Sequence, residues 1–296
     1  MSVIKSLSVG NGDMYYIRHN SDNFTIIDCY LSWENYKQII TELKAESKDK
    51  GICRFISTHP DEDHIGGIDW LDDAMPILNF YVVKNKATKP DESASFKRYC
   101  QLRDGEHAYY VSKGCNRRWM NQSDDERKGS GINILWPDVD NEHFKSALKE
   151  AEDGIAFNNM SLIAKYSVED GVRAMWLGDL ETEFMESITN YVKLEKTHIV
   201  FASHHGRSSG KIPNTWLEKL QPDIIVLGET PSRDLYYYTG YDILTQNSCG
   251  DIIFECDDDR VHVYVSSDDY EPPNCLINEY KSSFNNCNYI GSLAIT

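Results

Sequence analysis

Four groups able to bind a metal fall within residues 59–64: His59, Asp61, Asp63 and His64, in the stretch Ser57-Thr-His-Pro-Asp-Glu-Asp-His-Ile-Gly-Gly67. Imidazole and carboxylate together suit Zn²⁺, Mn²⁺ or Fe²⁺, and the absence of thiolate argues against a closed structural zinc site. In an extended loop, side chains at i and i+2 point the same way. His59, Asp61 and Asp63 are therefore expected to converge, with His64 facing another direction, toward a neighbouring ion. A solvated acidic loop holding two histidines would have the same residue types. The frame favours a metal site: an apolar run at 52–56 reads as a buried strand, and Gly66-Gly67 frees the backbone to turn into a helix from about residue 68.

Two more apolar runs end in groups of this kind: 174–179 in Gly178-Asp179, and 199–203 in His204-His205-Gly206-Arg207-Ser208-Ser209. The elements that must position them alternate in type. Strands are expected at 3–9 and 14–17, joined by a hairpin turn at Gly10-Asn11-Gly12-Asp13, and at 24–28. Residues 33–44 have helical spacing (Trp33, Tyr36, Ile39 or Ile40, Leu43). Further strands are expected at 77–83, 132–136, after 158–163, at 223–228, and as a closing hairpin at 252–255 and 261–265. Helices are expected at 142–152, 181–194 and 216–220. Such alternation predicts an α/β layered fold. Residues 85–130 break the rhythm, being polar and basic with Tyr99, Tyr109, Tyr110 and Trp119 interleaved. Lys97-Arg98-Tyr99 and Arg117-Arg118-Trp119 join phosphate-seeking cations to stacking surfaces, as single-strand binders do, although Arg beside an aromatic is also common on ordinary surfaces.

The 59–67 stretch resembles the signature of the metallo-β-lactamase superfamily, H-x-H-x-D-H at a strand end, with Asp61 in place of the second histidine. The variant H-x-D-x-D-H followed by Ile-Gly-Gly is similar to the soluble domain of ComEC-type DNA-uptake channels and its free-standing relatives. The likeness runs from about residue 3 to 265 and implies an αββα sandwich, two mixed sheets flanked by helices. It divides the chain into one domain over 1–265, with an insertion at about 85–130, and a C-terminal extension, 266–296, that it does not cover. It also implies roles. Asp179 would bridge two ions, and at least one of His204 and His205 would bind the second. The other histidine, Arg207, Ser208 and Ser209 are then candidates for acid catalysis or phosphate contact. Asp13 and Asp28 would orient ligands, the plainer alternative being a turn residue and a strand-end cap. Asn158 stands where many lactamase-fold enzymes carry another histidine, in a segment that includes Ser161, which leaves the ion nearest His59 and Asp61 short of a ligand. Relatives of this type also carry Asn-x-Tyr-x-His-Pro after the strand at 223–228. Here residues 229–241 hold no histidine, so that contact is lost or replaced by Arg233 or one of Tyr236, Tyr237 and Tyr238.

Ligands from several strand ends exceed what one tetrahedral ion needs, so two divalent ions, Zn²⁺ or Mn²⁺, roughly 3.5–4 Å apart are expected. The chemistry implied is hydrolysis by a metal-held hydroxide, with His59, Asp63 and His205 as catalytic residues. A nuclease acting on DNA or RNA is the leading expectation, Arg117 and Arg118 adding substrate contacts. The alternatives are a small-molecule phosphoesterase or lactam or lactone hydrolase, and a metal-binding but inactive scaffold. A net charge of −17 repels phosphate backbones unless cations are gathered locally. Residues 84–128 hold eleven Lys or Arg against seven Asp or Glu, a net of +4 that leaves −21 for the rest. A protein partner or homo-oligomer could supply further positive surface. The mean hydropathy is −0.52 and no apolar run approaches the roughly 20 residues of a membrane span. With no secretory-signal pattern at the start, a cytoplasmic location and no membrane partner are expected. Eight cysteines without a C-x-x-C pair read as reduced thiols.

Overall fold

The computed structural model describes residues 1–168 and 171–295. Its first half opens with β1 (Ser2–Ser6), β2 (Tyr15–Arg18) and β3 (Asn23–Ile27), paired antiparallel in sequence and buried almost throughout. A two-residue strand, β4 (Cys29–Tyr30), bridges Ile65 and Gly66 of the metal loop. Then come α1 (Tyr36–Glu46), β5 (Ile52–Ser57), α2 (Glu62–Ile65), α3 (Ile68–Ala74), β6 (Phe80–Val83), α4 (Ala94–Asp104) and β7 (Ala108–Val111). The second half contains β8 (Ile132–Trp136), α5 (Glu142–Glu152), β9 (Ile163–Ser167), β10 (Arg173–Trp176), α6 (Thr182–Ile188) and β11 (Ile199–Phe201). It continues with α7 (Asn214–Leu220), β12 (Ile224–Leu227), β13 (Ile243–Thr245) and α8 (Gln246–Cys249). Finally β14 (Ile252–Cys256), β15 (Arg260–Val265) and β16 (Asn288–Ala294) return to the first sheet.

Among the described residues these strands make two mixed sheets flanked by helices, of nine strands (β16-β15-β14-β1-β2-β3-β5-β6-β7) and six (β13-β12-β11-β10-β9-β8). Strands β3, β5, β6 and β7 run parallel in one sheet, and β10 to β13 in the other. Strands covered on both faces are apolar along their whole length, which is why β12 reads Ile-Ile-Val-Leu without alternation. The sheets meet through aromatic rings. Tyr15 lies edge-on to Phe201 at 4.9 Å, Trp176 stacks on Phe201 at 4.7 Å, and Phe254 closes on Phe201 from the first sheet at 6.2 Å. This cluster lies directly beneath the metal loop, in a small space also lined by Asp13, Asp28 and Thr58.

Several segments differ from their sequence expectation. The β1–β2 connection is a wide loop closed by Leu7 N–H on Met14 C=O at 3.0 Å, not a tight Asn-Gly hairpin. Its far side is tied to the metal loop through Asp13 N–H and Asp63 C=O, also at 3.0 Å. Helix α1 starts at Tyr36, leaving Trp33 outside it and 73% exposed. The 85–130 segment holds α4, capped by Ser93 Oγ accepting Phe96 N–H at 2.9 Å, and the edge strand β7. Tyr99, expected as a stacking surface, is fully buried because α4 turns that face onto β6. The chain after residue 265 supplies β16, which pairs antiparallel with β15. All eight cysteines are free thiols, and among the described residues no helix is long and apolar enough to cross a membrane.

Candidate metal centre

The histidines and carboxylates that gather at the centre leave the carboxyl ends of parallel strands, the usual place for a site in an α/β sheet, Asp13 alone coming from the antiparallel β1–β2 loop. Asp28 follows β3, the 59–64 loop follows β5, Asp179 follows β10, and His204 and His205 follow β11. Backbone strain marks the same places. Asp28, His204 and His205 have φ of 56°, 52° and 56°, a left-handed conformation that costs a side-chain-bearing residue roughly 1–2 kcal/mol. Gly178, at φ 54°, turns the chain where no side chain would fit: a Cβ there would stand 2.7 Å from Ser161 Oγ.

Asp63, His64, Asp179 and His205 each offer a ligand atom, and the four atoms lie within 4.8 Å of one another. His64 Nε2 is 3.0 Å from Asp179 Oδ1, while His205 Nε2 is 3.3 Å from Asp63 Oδ2 and 3.8 Å from Asp179 Oδ2. A tetrahedral ion with bonds near 2.0–2.2 Å spaces its ligand atoms roughly 3.4 Å apart, so the set is close to closing around one ion. Buried His64 Nε2 and Asp179 Oδ1 also lack a hydrogen-bond partner, as ligand atoms would without their cation, and so does His59 Nε2 beside them. The donor set therefore fits one divalent ion.

The i, i+2 reading of the loop is corrected here. Residues 62–65 form the helical turn α2, with His64 N–H and Ile65 N–H both on Asp61 C=O. A helical turn brings Asp63 and His64 to the same side, whereas extended chain would have opposed them. His59 and Asp61 stand next to this set: His59 Nε2 lies 3.7 Å from Asp61 Oδ2 and 3.9 Å from Asp179 Oδ2, the oxygen that His205 Nε2 also approaches. Among the described residues no third ligand atom joins them as closely as the first four join one another.

Supporting groups fix the imidazoles. Asp28 accepts Thr58 N–H at 2.7 Å and Thr58 Oγ–H at 2.6 Å, and lies 2.9 Å from His64 Nδ1. Asp13 Oδ1 lies 3.0 Å from His205 Nδ1. A proton on each Nδ1 leaves Nε2 as the ligand atom. Thr58 Oγ1 is 3.1 Å from His59 Nδ1, and Ser161 Oγ accepts Asp179 N–H at 3.0 Å. Asn158 is half-buried on a turn whose backbone bonds Ser161, and it is its neighbour Asn159 that bonds Glu181. His204 turns to the mouth, its Nδ1 2.8 Å from Ser209 Oγ and its Nε2 3.7 Å from Asp179. Arg207 sits beside it, Nη1 at 3.5 Å from His204 Nε2 and Nη2 on Asn11, with Ser208 and Ser209 exposed.

Charge in the pocket is unbalanced without a cation. Burial disfavours protonated His205, yet Asp13 and Asp179 raise its pKa to about 10. His64 is likewise raised against its burial, by Asp179 and Asp28. Burial would push Asp63 up, but His205 and His64 hold it at about 2. His59, by contrast, is lowered to about 3 by burial and by the neighbouring His64. The carboxylates thus call for positive charge between Asp63, His64, Asp179 and His205, which protons supply when no metal does.

Arg117 and Arg118 are not brought to this centre. The Arg117 guanidinium covers the Tyr109 ring at 4.3 Å, and Arg118 covers Trp119 at 4.6 Å while pairing with Asp124 at 3.0 Å. Trp119 C=O accepts from Arg54 at 2.9 Å, and Arg127 pairs with Asp22 in the β2–β3 turn. The Trp119 anchor, Arg54, precedes His59 by five residues of sequence, roughly 16 Å at about 3.3 Å per strand residue. One residue with no sequence signal does reach the centre: Lys89, whose Nζ is 3.5 Å from Asp61 Oδ1.

Two mixed sheets between helices, with a histidine–carboxylate cluster at the strand ends, define a metal-dependent hydrolase of the lactamase kind. The chain belongs to the metallo-beta-lactamase superfamily, whose family model matches residues 7–286. A search of curated proteins finds no match.

Proposed function

We propose that this hydrolase is a phosphodiesterase, a nuclease acting on single-stranded DNA or RNA. The observation that carries the reading is the rim of the centre: Arg207 lies beside His204 at the mouth, Ser209 Oγ is 2.8 Å from His204 Nδ1, and Ser208, between Arg207 and Ser209 in sequence, is exposed. A guanidinium flanked by hydroxyls is a phosphate receptor. The likeness of the 59–67 stretch to ComEC-type domains points the same way. Asp63, His64, Asp179 and His205 hold a divalent ion, Zn²⁺ or Mn²⁺; a second ion would need His59 and Asp61 to close around it. An ion held there supplies Lewis acidity and an activated water near neutral pH. Asp28 and Asp13 keep His64 and His205 in the tautomer that presents Nε2. His204, kept neutral chiefly by burial, lines the mouth, its Nε2 facing Arg207 and Asp179.

A net charge of −17 makes capture by the isolated chain weak and steeply salt-dependent, and a protein partner or second copy with positive surface would strengthen it. That same charge favours the second reading, a hydrolase of small phosphoesters or lactones. The test is cleavage of labelled single strands, a chromogenic phosphodiester and a lactone, at low salt with Mn²⁺ or Zn²⁺. Wild type should cut the strands and the phosphodiester, Asp63→Ala neither, and Arg207→Ala should lose affinity for both. Arg117→Ala with Arg118→Ala should weaken only strands long enough to reach from the centre past Arg54, roughly 16 Å along β5. Lactone cleavage alone would replace the nuclease reading. Metal retained with no hydrolysis of any substrate would make the protein a scaffold.

A further inference from the structure

We infer that the ammonium of Lys89 takes the place of a second metal ion, so that the centre is built for one divalent cation and one fixed positive charge. The inference rests on reading Asp63, His64, Asp179 and His205 as a metal centre, and is independent of which bond is cleaved. Three observations converge on it. The ligand atoms divide unequally: four lie within 4.8 Å of one another, while His59 and Asp61, 3.7 Å apart and with His59 Nε2 buried and unpartnered beside Asp179, do not complete a second such set. Into that incomplete set comes Lys89, its side chain only 15% exposed and its Nζ 3.5 Å from Asp61 Oδ1.

The lysine is also held there. Its Nζ lies 5.1 Å from the ring centre of Phe96 and 5.0 Å from that of Phe157, so two aromatic faces and one carboxylate share the cation. Phe157 directly precedes Asn158, so the ammonium lies against the turn at 158–160 that leads into Ser161. The backbone before it is pinned as well. Thr88 N–H bonds Ala151 C=O at 3.1 Å, Thr88 Oγ–H bonds Glu152 C=O at 2.8 Å, and Ala87 C=O accepts from Arg103 at 3.3 Å. A lysine on a loose loop could swing away when an ion arrives. This one would have to leave two rings and expose its charge elsewhere, while a dication beside Asp61 would face an ammonium a few ångströms away.

The test is metal stoichiometry of the full chain at equal free Zn²⁺ or Mn²⁺, by elemental analysis and calorimetric titration, for wild type, Lys89→Met and Lys89→Arg. Methionine fills the space between the rings without the charge. Wild type and Lys89→Arg should bind one ion tightly. Lys89→Met should bind a second at least about 10-fold more tightly than wild type does. Two ions of comparable affinity in wild type would overturn the inference and leave the metal centre intact, as would a Lys89→Met protein that still holds one. No ion in any of the three would overturn the metal-centre reading itself. Should Lys89→Met fail to fold, Asp61→Asn serves: it should leave the single ion's affinity unchanged, and loss of that ion would refute the division of the ligands.

Discussion

Asp28→Asn isolates one carboxylate's contribution to the centre. Asp28 is buried and its two oxygens serve three donors: Thr58 N–H at 2.7 Å, Thr58 Oγ–H at 2.6 Å and His64 Nδ1 at 2.9 Å. Asparagine tolerates the left-handed backbone at φ 56°, so strain does not enter, whereas alanine would add roughly 1–2 kcal/mol of it. An amide has one acceptor oxygen. If that oxygen keeps the immovable Thr58 N–H, the NH₂ faces His64 Nδ1, which must then accept. The imidazole proton moves to Nε2, and the ligand atom is lost. The charge-assisted bond forgone is worth about 1.5–3 kcal/mol, consistent with the 10- to 100-fold loss of metal affinity typical of such partners. If the amide turns the other way, His64 keeps its tautomer but Thr58 N–H is left buried without an acceptor, costing about 1–3 kcal/mol of stability. Competition with a chromophoric chelator measures the first cost, and urea unfolding of the chelator-treated protein the second. Equal metal affinity together with equal unfolding free energy would refute the argument that Asp28 orients His64.

Two further outcomes follow from the charges in and beneath the sheets. In chelator-treated protein His205 has a pKa of about 10 against an ordinary 6.5, so its stabilising contribution is complete below pH 6.5 and is lost as pH climbs through 10. Asp63, at about 2 against 3.8, contributes above 3.8 and is lost as pH falls through 2. The melting temperature of the stripped protein should therefore fall from about pH 7 to 10 while the metal-loaded protein resists, because the ion replaces the protons; a flat profile for the stripped protein would contradict the assignment. At the other end of β5, Arg54→Ala removes a buried guanidinium that bonds Thr25 at 3.1 Å, Asn23 at 2.7 Å and Trp119 C=O at 2.9 Å. The loss should be about 2–4 kcal/mol with faster proteolysis within residues 115–131, and an unaltered cleavage pattern would show that this segment is anchored by something else.

The two-sheet scaffold was legible because the chain repeats one device: an apolar run, then polar groups where the run stops. At 52–56, 174–177 and 199–203 burial forces a mainly hydrophobic sequence, with the bonded Arg54 as the exception, and the carboxyl end is where polarity can resume. Such a pattern says which residues gather but not how they divide. Whether Asp63 pairs with His59 or with His64 depends on whether residues 62–65 turn, and a four-residue turn leaves no periodicity to read. The choice between His204 and His205 is likewise made by consecutive left-handed residues, which no propensity for histidine foretells. In the 85–130 segment the Arg–aromatic neighbours looked available to a ligand because adjacency in sequence says nothing of satisfaction. In the fold, Asp124 accepts from both Arg118 and the Trp119 indole, and Tyr99 is turned into the core by α4. Lys89 is the converse case, one lysine among the eleven cations of a basic stretch. What singles it out is Phe157, 68 positions later, and the end of α5, both brought to it by packing. A charge that replaces a ligand or an ion has to answer to the carboxylate it meets, not to its neighbours in the chain. Ligand spacing can therefore suggest two ions where tertiary packing has put an ammonium on one side.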